Sequence, residues 1–169
     1  MSEVLRLEHV SKSFGSKEVL KDINFSVNSG EIIGYIGSNG AGKSTTIKLI
    51  LGLIDDYHGD VFVFGEKVRG QFEYKKRIGY VPEVSDMYDN LTAYEYLGFI
   101  GMLYGIKEEK AVAKGKEMMG VFGIDDAIYG RIHTFSKGMR QKLSIVTGML
   151  HNPDILFLDE PLGGIDANS

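Results

Sequence analysis

Apolar and polar residues alternate at the start of the chain. Leu5 and Leu7 stand against Arg6 and Glu8; past a turn-like Ser13–Lys17 stretch, Ile23, Phe25 and Val27 stand against Asn24, Ser26 and Asn28. A period of two predicts half-buried strands on either side of that turn. Residues 31–36 (EIIGYI) form a short apolar run bounded by glycines, which suits a strand buried on both faces. Asp60–Phe64 predicts another strand, ending at Gly65. From Leu91 the period becomes helical. Thr92 and Glu95 have capping-box spacing, so hydroxyl and carboxylate can each satisfy an orphan helix donor. Ala111, Gly115, Met118, Met119 and Phe122 recur at helical spacing, as do Met139, Leu143, Val146 and Leu150. Asp154–Leu158 returns to a buried-type strand, ending in Asp159-Glu160-Pro161. Strands, then helices, then a strand predict an α/β core carrying a helical insertion over roughly 84–150.

Composition narrows this picture. The chain has 169 residues, 43% of them hydrophobic, which is one domain's length with enough apolar surface for a core. The longest apolar stretch, Leu97–Ile106, is half of the ~20 residues a membrane span needs. Nineteen Lys and Arg against 23 Asp and Glu leave a net charge of −4, which argues against a duplex-binding surface over the whole molecule. The absence of cysteine excludes disulfide frameworks, thiolate zinc sites and cysteine nucleophiles, and fits a reducing cytosol. Nothing near Met1 reads as a secretion signal. Glycine, at 22 residues, is well above its usual share of about 7%, which predicts backbone used as a functional surface. His9, His58, His133 and His151 show no metal-ligand spacing, and Asp125-Asp126 and Lys107–Lys110 read as solvated faces or helix-start charges.

The chemistry begins at Gly37-Ser38-Asn39-Gly40-Ala41-Gly42-Lys43-Ser44-Thr45, a full match to G-x-x-x-x-G-K-[ST]. Glycines let the backbone wrap so that successive N–H groups point at phosphate oxygens. Lys43 reaches the terminal phosphates, and the Ser44 hydroxyl can ligate Mg²⁺. A helix from Thr45 to Gly52 would begin at the phosphates and add its positive dipole end. The apolar run before the loop supplies the expected preceding strand. Ile155–Leu158 followed by Asp159 and Glu160 has the form of a Walker B element. Asp159 stands where a strand's carboxyl end can hold Mg²⁺, and Glu160 where a carboxylate can polarise an attacking water.

Phe135-Ser136-Lys137-Gly138-Met139-Arg140-Gln141, shortly before that strand, resembles the signature motif of the ATP-binding cassette (ABC) family, usually LSGGQ. The Lys at its third position resembles the bacterial branch that includes many type-2 exporter ATPases. The resemblance implies that Ser136 and Gly138 contact the γ-phosphate bound by an opposite subunit; Ser136 is also a good N-cap in its own right. It implies that Phe14 stacks on adenine with Val19 alongside, ordinary core packing serving Val19 equally well. Residues 78–83 (IGYVPE) resemble the strand leading to the family's Q-loop, with Glu83 in place of the usual Gln; a carboxylate there can ligate Mg²⁺ or its water. Gly163-Gly-Ile-Asp166 resembles the D-loop but lacks the hydroxyl of its first position.

The resemblance covers Leu5 to Asp166 and implies an α/β fold: a P-loop NTPase core with an N-terminal antiparallel β subdomain and an inserted helical subdomain. The expected segments are 1–83 for the β subdomain and P-loop core, 84–150 for the helical subdomain and 151–169 for the Walker B strand and D-loop. In the family a helix, a further core strand and a switch histidine follow the D-loop. The sequence carries none of these, and the missing strand would lie between residues 32–36 and 155–158. The expectation is therefore a partial cassette with an incomplete core sheet, marginally stable and at best weakly catalytic. The implied function is ATP binding and hydrolysis with Mg²⁺, powering a membrane transporter that the resemblance points to as an exporter. The implied partners are a transmembrane permease and a second ATPase subunit, identical or paralogous, with no nucleic acid. The location is cytoplasmic, peripheral on the inner face of the membrane. The segment from Tyr88 to Tyr104, rich in Tyr, Phe and Leu, is the candidate permease-docking face. The alternatives are a nucleotide-binding fragment without turnover, and a soluble ABC protein acting on ribosome or DNA.

Overall fold

A computed structural model describes residues 2–84 and 86–161. The chain divides into two compact units, Met1–Lys76 and Arg77–Ser169.

The first unit is built on a four-stranded antiparallel sheet of order β2-β1-β3-β4, from β1 (Glu3–Phe14), β2 (Lys17–Asn28), β3 (His58–Val63) and β4 (Glu66–Lys67). The alternation read from Leu5 and Leu7 is real, but it changes phase along β1. One extra residue sits in β1 between the pairs Leu7↔Phe25 and Val10↔Ile23. His9 at that bulge takes a left-handed φ of +50°, held by a hydrogen bond from its N–H to Asn24 Oδ1 (2.8 Å) and by its ring on Asp22 Oδ1 (2.7 Å). After the bulge the inward positions are Val10 and Lys12 instead of the odd-numbered continuation. Leu5, Leu7, Val10, Leu20, Val61 and Val63 form the buried face. Helix α1 (Lys43–Ile50) buries Leu49 and Ile50 in the same unit. It begins two residues before the predicted start, at the P-loop lysine itself.

One expected element is absent. Residues 31–36 form no strand, and among the described residues none pairs with them. Ile32 is 100% and Ile36 93% exposed. An apolar run becomes a strand only when a neighbour takes up its N–H and C=O groups, and no described strand does so here. Among the described residues the core sheet is accordingly incomplete.

The second unit pairs β5 (Ile78–Val81) with β6 (Ile155–Leu158) in parallel, in register Ile78↔Ile155 to Val81↔Leu158. Arg77 and Asp154 fasten the start of the pair, through an ion pair of 2.6 Å and a backbone bond from Asp154 N–H to Arg77 C=O. Between these strands run α2 (Ala93–Leu103), α3 (Glu108–Val121) and α4 (Lys137–Met149). The capping box forms as its spacing predicts: Thr92 Oγ1 accepts from Glu95 N–H, and Glu95 Oε2 accepts from Thr92 N–H at 2.8 Å. Ala111, Met119, Leu143, Val146 and Leu150, all on the predicted stripes, lie in one apolar cluster with Leu97 and Ile132. Much of the glycine excess is explained here. An added Cβ at Gly101 would overlap the Cβ of Ala111, one at Gly115 would lie 2.6 Å from Leu97 Cδ2, and one at Gly148 2.9 Å from Val81 Cγ2. These glycines let helices approach each other and the sheet.

Candidate functional site

The loop over residues 37–42 owes its shape to two left-handed glycines, Gly40 (φ +81°) and Gly42 (φ +93°). Gly42 is the N-cap of α1. A side chain there would be strained by its φ and would meet Leu20 Cδ2 at 2.5 Å and Val19 O at 3.1 Å. The cap therefore offers no side-chain acceptor, and no acidic residue occupies the first turn. A helix start whose cap residue contributes no side-chain acceptor is the arrangement that suits an anion. Lys43 is half-buried, with its ammonium donating to Gly37 O (2.9 Å) and Ser38 O (3.3 Å). The positive charge thus sits at the rim of the loop. Gly37, Ser38, Asn39, Gly40 and Ala41 are exposed, while Ser44 and Thr45 are half-buried. Buried Thr46, one residue past the motif, donates its hydroxyl to Gly42 O (3.0 Å) and braces the turn.

Val19 lies against the P-loop: an added Cβ on Gly42 would be 3.3 Å from Val19 Cγ1. Phe14 ends β1 on the same hairpin, paired with Lys17 and 51% exposed. Lys12, which sequence reasoning passed over, stands two residues before it with its ammonium 4.8 Å from the Phe14 ring centroid. The same ammonium donates to Asp56 Oδ2 (2.9 Å) and holds that carboxyl below its ordinary pKa. The signal available in sequence was the i, i+2 spacing; the bulge that puts Lys12 on the inward phase was not.

In the second unit, the parallel register delivers Asp159 and Glu83 to the carboxyl edge of the β5–β6 pair. Asp159 N–H donates to Val81 O (2.9 Å), and its side chain is 6% exposed. Burial pushes the Tyr80 hydroxyl's pKa up, and the charges of Asp159 and Glu83 push it further, so both carboxylates act on the same neighbourhood. Glu160 follows Asp159 at a left-handed φ of +50° and is exposed. Ser136 caps α4, its Oγ accepting from Met139 N–H (3.2 Å), with Gly138 in the first turn. Arg140, from the same motif, holds Asp89 in a 2.7 Å ion pair that lowers the aspartate's pKa. No group of three or more His, Cys, Asp or Glu able to hold a metal occurs among the described residues. The D-loop-like Gly163–Asp166 lies outside the described residues.

The sequence profile of the ABC transporter family matches residues 20–163. This chain belongs to the ABC transporter family. The cassette is 38% identical over 167 residues to the linearmycin resistance ATP-binding protein LnrL of Bacillus subtilis, covering 98% of this chain and 54% of that protein. It is equally identical, with the same coverage, to the bacitracin transport ATP-binding protein BcrA of Bacillus licheniformis. The chain thus spans about half the length of the curated relatives it matches. Among solved structures, an ATP binding subunit of an ABC transporter aligns with a TM-score of 0.86 and 34% identity, over 97% of this cassette and 69% of that chain. A nucleotide-free ATP-binding cassette aligns at 0.80 with 23% identity, a likeness of fold.

Proposed function

We propose that the chain is the nucleotide-binding part of an ATPase subunit that powers a membrane transporter. The observation that carries this is the uncapped, glycine-turned start of α1 with Lys43 at its rim. In the proposed reaction, loop amides and Lys43 hold the β- and γ-phosphates, and Ser136 and Gly138 approach the γ-phosphate bound by a second subunit. Glu160 accepts a hydrogen bond from the attacking water and orients it in line with the leaving oxygen. Ser44 and Asp159 would hold Mg²⁺, with Glu83 at the ion or its water; when bound, it neutralises charge developing on the phosphates. Catalysis is then positioning and charge neutralisation.

The relatives named for linearmycin resistance and bacitracin transport support export as the direction. No helix among the described residues is long and apolar enough to cross a membrane, so transport would require a permease at the cytoplasmic membrane face. Exposed Tyr88, Met102 and Leu103 support the segment Tyr88–Tyr104 as its docking face. A second reading, nucleotide binding without turnover by this chain alone, is favoured by the unpaired state of residues 31–36 ahead of the P-loop.

Calorimetry with Mg·ATP tests the first step, with Lys43→Ala as control; saturable binding lost in the variant is the expected outcome, and equal binding by both would refute the site. Phosphate release compared between the unaltered chain and Glu160→Gln then separates the two readings. Turnover abolished by Glu160→Gln supports hydrolysis, and binding without any turnover supports the second reading.

A further inference from the structure

Lys12 is the one lysine on the buried face of β1. It is 6% exposed, yet nothing in the hydrophobic core calls for an ammonium there. The bulge at His9 puts Lys12 on the inward phase, and the i, i+2 spacing places Phe14 on the same face. The amine is fixed at two points, by its 2.9 Å hydrogen bond to Asp56 and by its seat 4.8 Å from the Phe14 ring centroid. A cation at that distance is attracted to the ring's negative face, which resists rotation of an otherwise exposed aromatic side chain. Phe14 still keeps 51% of its surface open. Lys12 pairs across the hairpin with Leu20, and a Cβ added at Gly42 of the P-loop would meet Leu20 Cδ2, so Lys12 and Phe14 lie on the hairpin that packs against the loop.

We propose that Lys12 is a positioning residue for the nucleotide base: anchored by Asp56, its ammonium clamps one face of Phe14 and so presents the other for stacking on a purine. The proposal rests on the nucleotide-binding reading above and names how that site would hold the base. Because stacking uses a π-face common to all bases, Lys12 acts on ATP and GTP alike and not on a ligand lacking a base.

The test is calorimetric titration of the full chain with Mg·ATP and, separately, with Mg·tripolyphosphate, for the unaltered protein and the Lys12→Met, Lys12→Arg and Asp56→Asn variants. Lys12→Met keeps the apolar stem and removes the charge. It is expected to weaken ATP about three- to tenfold while leaving tripolyphosphate within about twofold. Lys12→Arg, which keeps a cation over the ring, restores ATP affinity. Asp56→Asn, at a fully exposed side chain, produces a smaller loss in the same direction. Unchanged ATP affinity in Lys12→Met, or an equal loss for both ligands, would overturn the proposal while leaving the nucleotide site standing. Failure of the unaltered chain to bind either ligand would overturn the nucleotide reading, and this proposal with it.

Discussion

Replacing Gly101 with alanine tests whether glycine sets the distance between α2 and α3. The added methyl would overlap the Cβ of Ala111, which is fully buried and has no torsion by which to move aside. Ordinary carbon–carbon contact needs about 3.5–4.0 Å, so the two helices must separate or shift along each other. Overpacking of this kind costs about 1–3 kcal/mol. Alanine returns about 0.5–1 kcal/mol of helix propensity over glycine, leaving a net loss centred on about 1 kcal/mol, within a range of about 0–2.5 kcal/mol. Gly120 in α3 supplies the internal control, since an added Cβ there meets nothing closer than Asp125 Cγ at 3.8 Å. Gly120→Ala should therefore gain up to about 1 kcal/mol where Gly101→Ala loses. Ala111→Gly should relieve the clash in the double variant, so the two substitutions at 101 and 111 must be non-additive. Urea denaturation followed by far-ultraviolet circular dichroism reads all four proteins. Gly101→Ala as stable as Gly120→Ala, or strict additivity with Ala111→Gly, would refute glycine-limited packing of these helices.

Two further outcomes follow from the second unit. His151 donates from Nε2 to Ile78 O (3.0 Å) and stacks on Tyr104, leaving Nδ1 buried without a partner; burial holds its pKa below 6.5. The unfolded chain then takes up the proton first as pH falls, so stability contributed by His151 is complete above about pH 6.5 and is lost below it. The drop in urea midpoint from about pH 7.5 to about 5.5 should shrink in His151→Phe, which keeps the stack but cannot titrate; an equal drop in both proteins would contradict this. Thr92→Ala removes one half of the capping box and should cost about 1 kcal/mol, within a range of about 0.5–2, with Thr92→Ser recovering most of it. A neutral Thr92→Ala would mean that packing alone holds the start of α2.

Wherever neighbours in sequence are neighbours in space, this chain could be read without its structure. The capping box at Thr92 and Glu95, the stripes through Ala111–Met119 and Leu143–Leu150, and the Gly40, Gly42 and Lys43 spacing all describe geometry within one or two turns of backbone. Local rules decide such features, so the glycine-turned start of α1 and the family that carries it were legible from the motifs alone. What depended on distant partners was not. The bulge at His9 is held by Asp22 and Asn24 from the next strand, and it shifts the inward phase of β1 to Val10 and Lys12. The close approach of α2 to α3 makes Gly101 a packing residue, although its sequence context reads like any glycine in an apolar helix. Residues 31–36 carry every local mark of a buried strand and are exposed, because a strand is completed by hydrogen bonds to another segment and none of the described residues supplies them.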